Sequence, residues 1–436
     1  MKRIALCIPT YEAEECVRDM LESCAPYYLQ HGIDFIFYDS SRNDKTEKLI
    51  REKQNEFGSR LRYNRSDMHP NEKAYQIYRG NGYQQEDYDY VWLCSDAVQF
   101  TGSAIGKIEK ILDEGYDVIV NDPYDDEGVG SKEYTDANSL FQECVWGRGG
   151  ATLFGATVLK VETMLQGVVW ENYDKFLDWD IINYSHISFI FNRLLEMPGF
   201  RGYHLALENR EYRSSVYKKT STWYYYAFSI ICGPYVKAIE NLPAEYKPKR
   251  DVIRKNGEAY GLGRIRRFVE FRAENVFNIQ VFIKYFKQWK KVSPIHRLRL
   301  GIIAVTPQAV CKRICYKDKK ILLKQFWEFY QKHDRIFIYG AGRVGTIYSK
   351  YFEKENISFQ GFCVSDAQGR TTYLKYPLFS VDEIDFASQT GAIIALQEEN
   401  AKDVLKLLRG KGICEDHIFY SPDFYKLISF ELGYRD

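Results

Sequence analysis

The sequence has no C-x-x-C pair, no internal repeat and no low-complexity linker, and none of its apolar runs reaches the roughly 18 residues that a membrane-spanning helix needs. Each absence removes a class. The ten cysteines are scattered, and Cys7 and Cys94 stand inside apolar, strand-like runs. That pattern argues against a disulfide framework or a zinc site and fits a chain kept reduced in a cytosol. The first residues lead straight into a strand, so no signal peptide is expected. The formal net charge is only +1, so any electrostatic role rests on how charge is distributed.

What is present suits packed cores. Of 436 residues, 45% are hydrophobic and 16% aromatic, with 35 tyrosines. The length exceeds one ordinary core, so two or three domains are expected. Arg3 to Pro9 reads as a buried strand. Glu12 to Cys24 has helical spacing, with Cys16, Met20, Leu21 and Cys24 on one side. Ile33 to Tyr38 reads as a second strand, ended by Asp39, and a polar turn leads to a helix from Glu47. Tyr90 to Leu93 and Tyr116 to Asn121 are further strands. Strand and helix in this alternation predict an α/β fold with a parallel sheet and right-handed crossovers.

In such a sheet, ligands bind at the carboxyl ends of the strands. Asp96 stands just past the end of Tyr90–Leu93. A carboxylate there can hold a divalent cation, which in turn can hold a nucleotide diphosphate. A solvent-exposed Asp ending a strand accounts for that stretch equally well.

Three segments in order, IPTYEAEE, FYDSSRNDKT and VWLCSDA, resemble the opening motifs of glycosyltransferase family 2, of the GT-A fold. The resemblance covers about the first 215 residues. It implies that Pro9, Thr10 and Tyr11 form the loop packed on the nucleotide base, and that Asp39, ending the second strand, hydrogen-bonds the base. The residue types agree, since Tyr11 offers a face for stacking and Asp39 an acceptor. Arg42 and Asn43 fill the second motif differently from the family pattern. In the third, the D-x-D motif, Cys94 replaces the first acid and Asp96 is the second. One carboxylate with diphosphate oxygens and waters can still complete an Mg²⁺ or Mn²⁺ shell. The family also places a basic residue near the pyrophosphate, for which Lys73 and Arg79 are the candidates.

Downstream, the glycine-rich Trp146 to Lys160 resembles the segment lining donor sugar and acceptor; its glycines let backbone approach a ligand closely. In FLDWDIINYSHISFIF the resemblance implies a catalytic base, Asp178 or Asp180. Some relatives carry a Tyr-x-His here, as at Tyr184 and His186, which makes His186 a second candidate as base or metal ligand. Leu205 to Ser215 closes the domain.

Residues 264–320 carry fifteen Lys and Arg against three acids. Ile279, Phe282, Ile283, Phe286 and Trp289 share one helical face flanked by Lys284, Lys287 and Lys291. This is the pattern of an interfacial helix on an anionic membrane. A helix packed on the transferase domain with a solvated basic rim fits as well. No nucleic-acid-binding module accompanies the stripe.

Arg335 to Gly345 reads as a strand running into G-x-G-x-x-G and a helix. A second strand, Phe359 to Val364, is followed by Asp366. That context makes a Rossmann fingerprint. Gly340, Gly342 and Gly345 would admit a pyrophosphate at the helix N-terminus, and Asp366 a ribose hydroxyl. The module is small and offers no partner for hydride chemistry.

The expected organisation is thus a GT-A-type nucleotide-sugar-binding domain at 1–225, a helical, basic, membrane-peripheral segment at 226–330 and a Rossmann-like domain at 331–436. The expected activity is inverting transfer from a nucleotide-sugar donor to a saccharide or lipid-linked acceptor in bacterial surface polysaccharide or glycoconjugate synthesis. It would act in the cytoplasm or at the inner membrane face. The rivals are a non-catalytic sugar-nucleotide scaffold and an NAD(P)-dependent oxidoreductase working through the tail. Donor sugar, linkage and homo-oligomer formation stay open.

Overall fold

The structure is a computed structural model and describes all residues except 1, 69, 126–127, 148, 179, 181, 209–210, 216, 218–221, 316–318, 368, 387–388 and 433–436. The chain divides into two compact units, the first comprising Met1–Lys218 with Tyr225–Thr306.

The first unit is organised on an eight-stranded sheet. Its strands are β1 (Ile4–Thr10), β2 (Ile33–Asp39), β3 (Leu61–Arg65), β4 (Tyr90–Leu93), β6 (Val118–Asp122), β7 (Lys132–Tyr134), β8 (Thr157–Lys160) and β9 (Gly202–Ala206). A separate pair is formed by β5 (Val98–Phe100) and β10 (Tyr212–Ser214). The large sheet runs β3-β2-β1-β4-β8-β6-β9-β7. The strands β1 to β4 are mutually parallel, β8 is antiparallel to both β4 and β6, and β6 is parallel to β9.

Burial explains the sequence pattern. β2 is buried along its whole length, as a parallel strand covered on both faces must be, hence its apolar run from Phe35 to Tyr38. Its acidic residue Asp34 is tolerated inside because Arg3, Arg60 and the Tyr88 hydroxyl all donate to it. The helix Glu14–Ser23 turns Cys16, Val17, Met20 and Leu21 into the core. The helix Gly102–Asp113 starts at Thr101, whose hydroxyl accepts from the Ala104 N–H and so supplies one of the orphan N-terminal bonds.

The basic middle segment differs from expectation. It forms two short pieces, Ile279–Lys284 and Trp289–Val292, with a turn between them. Trp289 does not share the exposed face. It is fully buried against Phe228, Phe268 and Phe277, and its indole N–H donates to the Phe282 carbonyl. The largest apolar side chain of the stretch gains most from burial once its N–H finds an acceptor. Nor does 226–330 stand as one segment: Tyr225–Thr306 belongs to the first unit, and the second resumes at Pro307. A proline there cannot continue the helix Arg297–Val305.

The second unit has strands β11 (Arg335–Tyr339), β12 (Gly361–Val364), β13 (Thr372–Tyr373), β14 (Tyr376–Ser380), β15 (Thr390–Ile394) and β16 (Ile418–Phe419), in the order β13-β14-β12-β11-β15-β16. Apart from the short antiparallel β13, all pairings are parallel. Counting the parallel strands alone, the order is 3-2-1-4-5, an order found in doubly wound α/β sheets. The helix Lys319–Gln331 contributes Leu322, Phe326 and Phe329 to this core, with Phe326 stacked on Phe424 at 4.7 Å.

Candidate functional site

The carboxyl ends of β1, β2, β4 and β6 lie along one edge of the first sheet, and the acids and loops of the sequence motifs gather there. Thr10 pairs in register with Asp39, and Asp39 with Arg65. The Cys94 N–H donates to the Cys7 carbonyl, so the chain stays hydrogen-bonded to β1 one residue beyond Leu93. It then turns through Ser95–Ala97 into β5, which is fastened by β10 and by the Ser215 N–H donating to the Ala97 carbonyl. That turn presents Asp96. The Thr10 hydroxyl donates to Asp96 Oδ2 at 2.8 Å, and the Ser95 hydroxyl to Oδ1 at 3.3 Å.

Asp39 is fully buried at the end of β2. One oxygen accepts from the N–H and hydroxyl of Ser41, the other from the Tyr63 hydroxyl at 3.0 Å, with the Arg65 guanidinium 3.7 Å away. Ser41 Oγ in turn accepts from the Glu12 N–H at 2.7 Å. Asp39 therefore holds the β2 turn against the loop after β1. Beside it Tyr11 is 43% exposed, an open ring at the sheet edge.

Lys73, on the helix Pro70–Tyr78, lies beneath this loop pair rather than on the surface. Its ammonium donates to the carbonyls of Thr10 and Tyr38 and to the Ser40 hydroxyl, at 3.1, 3.0 and 2.7 Å. Burial pushes it down to about 8, while Asp39 and Asp96 pull the other way. Arg79 is placed differently, paired with Asp174 at 3.3 Å.

Cys94 does not stand in for a second metal-binding acid. It is buried in the apolar core, its thiol faces the Ser95 and Val98 carbonyls, and burial pushes the thiol up. No cluster of three metal-ligating side chains occurs among the described residues. The donor set fits a cation held by the Asp96 carboxylate, with its remaining ligands from diphosphate and water.

Further along the same edge, Asp122 ends β6. Its Oδ1 accepts the N–H groups of Tyr124 and Asp125, and its Oδ2 lies 3.3 Å from His204 Nε2. Burial opposes the charge on both partners. The pairing nonetheless holds His204 above the usual histidine value and Asp122 below the usual carboxylate range. Reading the sequence did not single out this pair, although Asp122 repeats the signal of Asp39: an acid closing an apolar strand.

The candidate bases separate into two environments. Asp178 and Asp180 are exposed, and the Asp180 N–H donates to Asp178 Oδ1 at 2.8 Å. Asp180 is ion-paired with Lys237. Both residues of that pair line a cavity of about 440 Å³ together with Asn183, Lys284, Tyr285 and Gln288. His186 is buried, edge-on to Phe154 at 4.9 Å, and burial pushes it down to about 4.

In the second unit, Gly340 has a φ of +121°, and a Cβ there would meet the Ala395 carbonyl at 2.6 Å. A Cβ on Gly345 would lie 2.0 Å from the Gly340 carbonyl, whereas one on Gly342 would meet nothing within 4 Å. Gly342 opens the helix Arg343–Glu355. Asp366 is exposed two residues past β12.

No family model matches the sequence, and no curated protein matches it. Among solved structures, residues 1–349 of TarS from S. aureus align over 66% of this chain and 77% of that one, at 13% identity and a TM-score of 0.37. The mannosyltransferase PcManGT from Pyrobaculum calidifontis, solved with GDP-Man and Mn²⁺, aligns over 70% and 87%, at 12% identity and a TM-score of 0.36. Glucosyl-3-phosphoglycerate synthase from Mycobacterium tuberculosis aligns over 44% and 80%, at 12% identity and a TM-score of 0.27.

Proposed function

We propose that the first unit is a GT-A-type glycosyltransferase that moves a sugar from a nucleoside-diphosphate sugar to a hydroxyl acceptor with inversion. The observation that carries this reading is the convergence of three separate sequence motifs on one sheet edge, where Thr10 bonds Asp96 and Asp39 anchors the adjoining loops. Tyr11 supplies the stacking face for the base. Asp39 sets the loop that receives the base, its carboxylate oxygens already serving Ser41 and Tyr63. Asp96 would hold Mg²⁺ or Mn²⁺. When bound, such a cation neutralises charge developing on the leaving diphosphate.

Asp180 is assigned as the base that takes the acceptor hydroxyl proton, because it opens on a cavity; buried His186 has a structural role. The acceptor oxygen bonds the anomeric carbon as the bond to the diphosphate oxygen breaks, and the proton passes to the carboxylate. Lys237, ion-paired with Asp180, holds that carboxylate in place. The acceptor is a saccharide or lipid-linked saccharide of bacterial surface polymer synthesis, and the enzyme works in the cytoplasm or on the inner membrane face. The second unit binds a nucleotide through Gly340, Gly342, Gly345 and Asp366, or serves assembly, without chemistry of its own.

The test is hydrolysis of a panel of UDP-, GDP- and CDP-sugars with and without Mn²⁺. Turnover of one donor that is lost in Asp96→Ala supports the assignment. Donor binding without turnover under any condition would favour a non-catalytic scaffold. Oxidation of NAD(P)H would favour the oxidoreductase reading.

A further inference from the structure

Between Asn275 and Thr306 the chain carries six basic side chains and no acidic one. Two of the helices it forms there, Ile279–Lys284 and Arg297–Val305, pack against each other within the first unit. The seam between them is formed by Phe282 against Gly301, where a Cβ would stand 3.4 Å from the Phe282 ring. Ile279 and Ile283 stand one helical turn apart on the first helix, with Phe286 in the turn that follows it. Leu298, Ile302 and Val305 follow one another at helical spacing on the second. None of the six is buried: Ile283, Leu298, Ile302 and Val305 are 65, 68, 57 and 63% exposed. The Arg297 guanidinium lies 4.4 Å over the Phe286 ring and joins the two stripes. Lys284, Lys287, Lys290 and Arg299 stand exposed around them.

Scattered exposed aliphatics need no explanation, but two adjoining stripes on a stretch that carries six bases and no acid of its own do. An acidic protein partner would satisfy the bases and leave the protruding aliphatics only shallowly covered. A bilayer satisfies both, with aliphatic side chains entering the acyl boundary and lysines meeting anionic headgroups. We propose that this two-helix plate docks the protein on an anionic lipid bilayer. Lys284, Tyr285 and Gln288, which line the cavity beside Asp180, belong to the same stretch as Ile283, Phe286 and Lys287. Docking would bring Lys284 of this cavity near the headgroups, where an acceptor carried on a lipid phosphate would meet Lys237 and Lys284. That last step rests on reading the cavity as the acceptor site; the docking itself does not.

The experiment is sedimentation of the full chain with vesicles of phosphatidylcholine containing phosphatidylglycerol, against vesicles of phosphatidylcholine alone. Wild type is expected to partition at least tenfold more strongly onto the anionic vesicles. Ile283→Glu/Leu298→Glu/Ile302→Glu should lose at least tenfold of that binding. Lys287→Gln/Lys290→Gln/Arg299→Gln should lose about fivefold per charge, roughly a hundredfold together. Calorimetric titration with UDP, GDP and CDP on the same proteins reports the donor site separately. Loss of nucleotide binding in wild type with vesicle binding intact would sink the transferase reading and leave docking standing. Wild type that fails to sediment, or apolar-stripe variants that sediment as wild type does, would overturn docking. So would a wild-type dimer in analytical ultracentrifugation that becomes monomeric in the apolar-stripe variant, since the plate would then be a contact between two copies.

Discussion

The Thr10 hydroxyl donates to Asp96 Oδ2 at 2.8 Å across 86 positions of sequence. The bond ties the end of one strand to the turn after another, and it aims the carboxylate proposed to hold the cation. Asp96→Ala is expected to abolish metal-dependent nucleotide binding while leaving the fold intact, because Asp96 sits in a turn outside the core. Thr10→Val should keep the carboxylate but lose its orientation, weakening nucleotide affinity in Mn²⁺ about fivefold, the worth of one hydrogen bond of about 1 kcal/mol. Calorimetry with and without Mn²⁺ checks both. Unchanged affinity in Asp96→Ala would remove Asp96 from the metal site.

Cys94 occupies the position of the first acid in the D-x-D motif, yet it faces the core. Cys94→Asp is therefore expected to destabilise the first unit by about 3 kcal/mol or more, since it buries an unpaired carboxylate. It should not strengthen Mn²⁺-dependent nucleotide binding. Urea unfolding followed by tryptophan fluorescence, with the same calorimetry, checks the pair of outcomes. A gain in metal affinity at unchanged stability would show that the side chain can turn outward.

Lys73 couples stability to pH with the less familiar sign. Its folded value of about 8 lies below the ordinary 10.5. Between those values the unfolded chain holds a proton that the folded chain lacks, so stability from this group rises with pH across the window and is flat below it. Melting temperatures of wild type and Lys73→Met, measured from pH 7 to 10.5, should show the wild type gaining on the variant above about pH 8. Parallel curves would mean that Lys73 keeps its ordinary value.

The glycines of the second unit divide by what surrounds them. Gly342→Val meets open space and should fold normally while blocking a pyrophosphate at the helix N-terminus. Gly345→Val would press on the Gly340 carbonyl and should unfold the unit outright. Circular dichroism separates the two, and calorimetry with adenine and uridine nucleotides reads the site. Sugar transfer by the first unit should survive Gly342→Val.

Much of the sheet was legible because parallel strands buried on both faces leave unbroken apolar runs. β1, β2, β4 and β6 were found to within two residues, and so were β12 and the start of β11. The strands that escaped are the ones without such runs. β3 is a polar edge strand, LRYNR, and with it went Tyr63 and Arg65 beside Asp39. β8 hid inside a glycine-rich segment read for its glycines. Lys73 was picked out as a basic residue, but only the fold shows it buried, because its helical spacing looks the same with the ammonium in water or under a loop. In the basic segment, the charge was plain and the seam was not. Phe282 meets Gly301 across nineteen positions, a contact no periodicity marks, and that seam brings Leu298, Ile302 and Val305 beside the stripe already visible at Ile279 and Ile283.

The insertion of β8 between β4 and β6 has a consequence for how the protein can be made. β1 to β4 are complete by residue 93, but the free edge of β4 is closed only by Thr157–Lys160. A ribosome-bound or proteolysed chain ending between those points displays an unpaired, apolar parallel-sheet edge, a template for association with other chains. Fragments for expression should accordingly extend past β9, and a cut within residues 101–156 is the one to avoid. The strand that completes the sheet beside Asp96 is also the strand that keeps the newly made half from sticking to its neighbours.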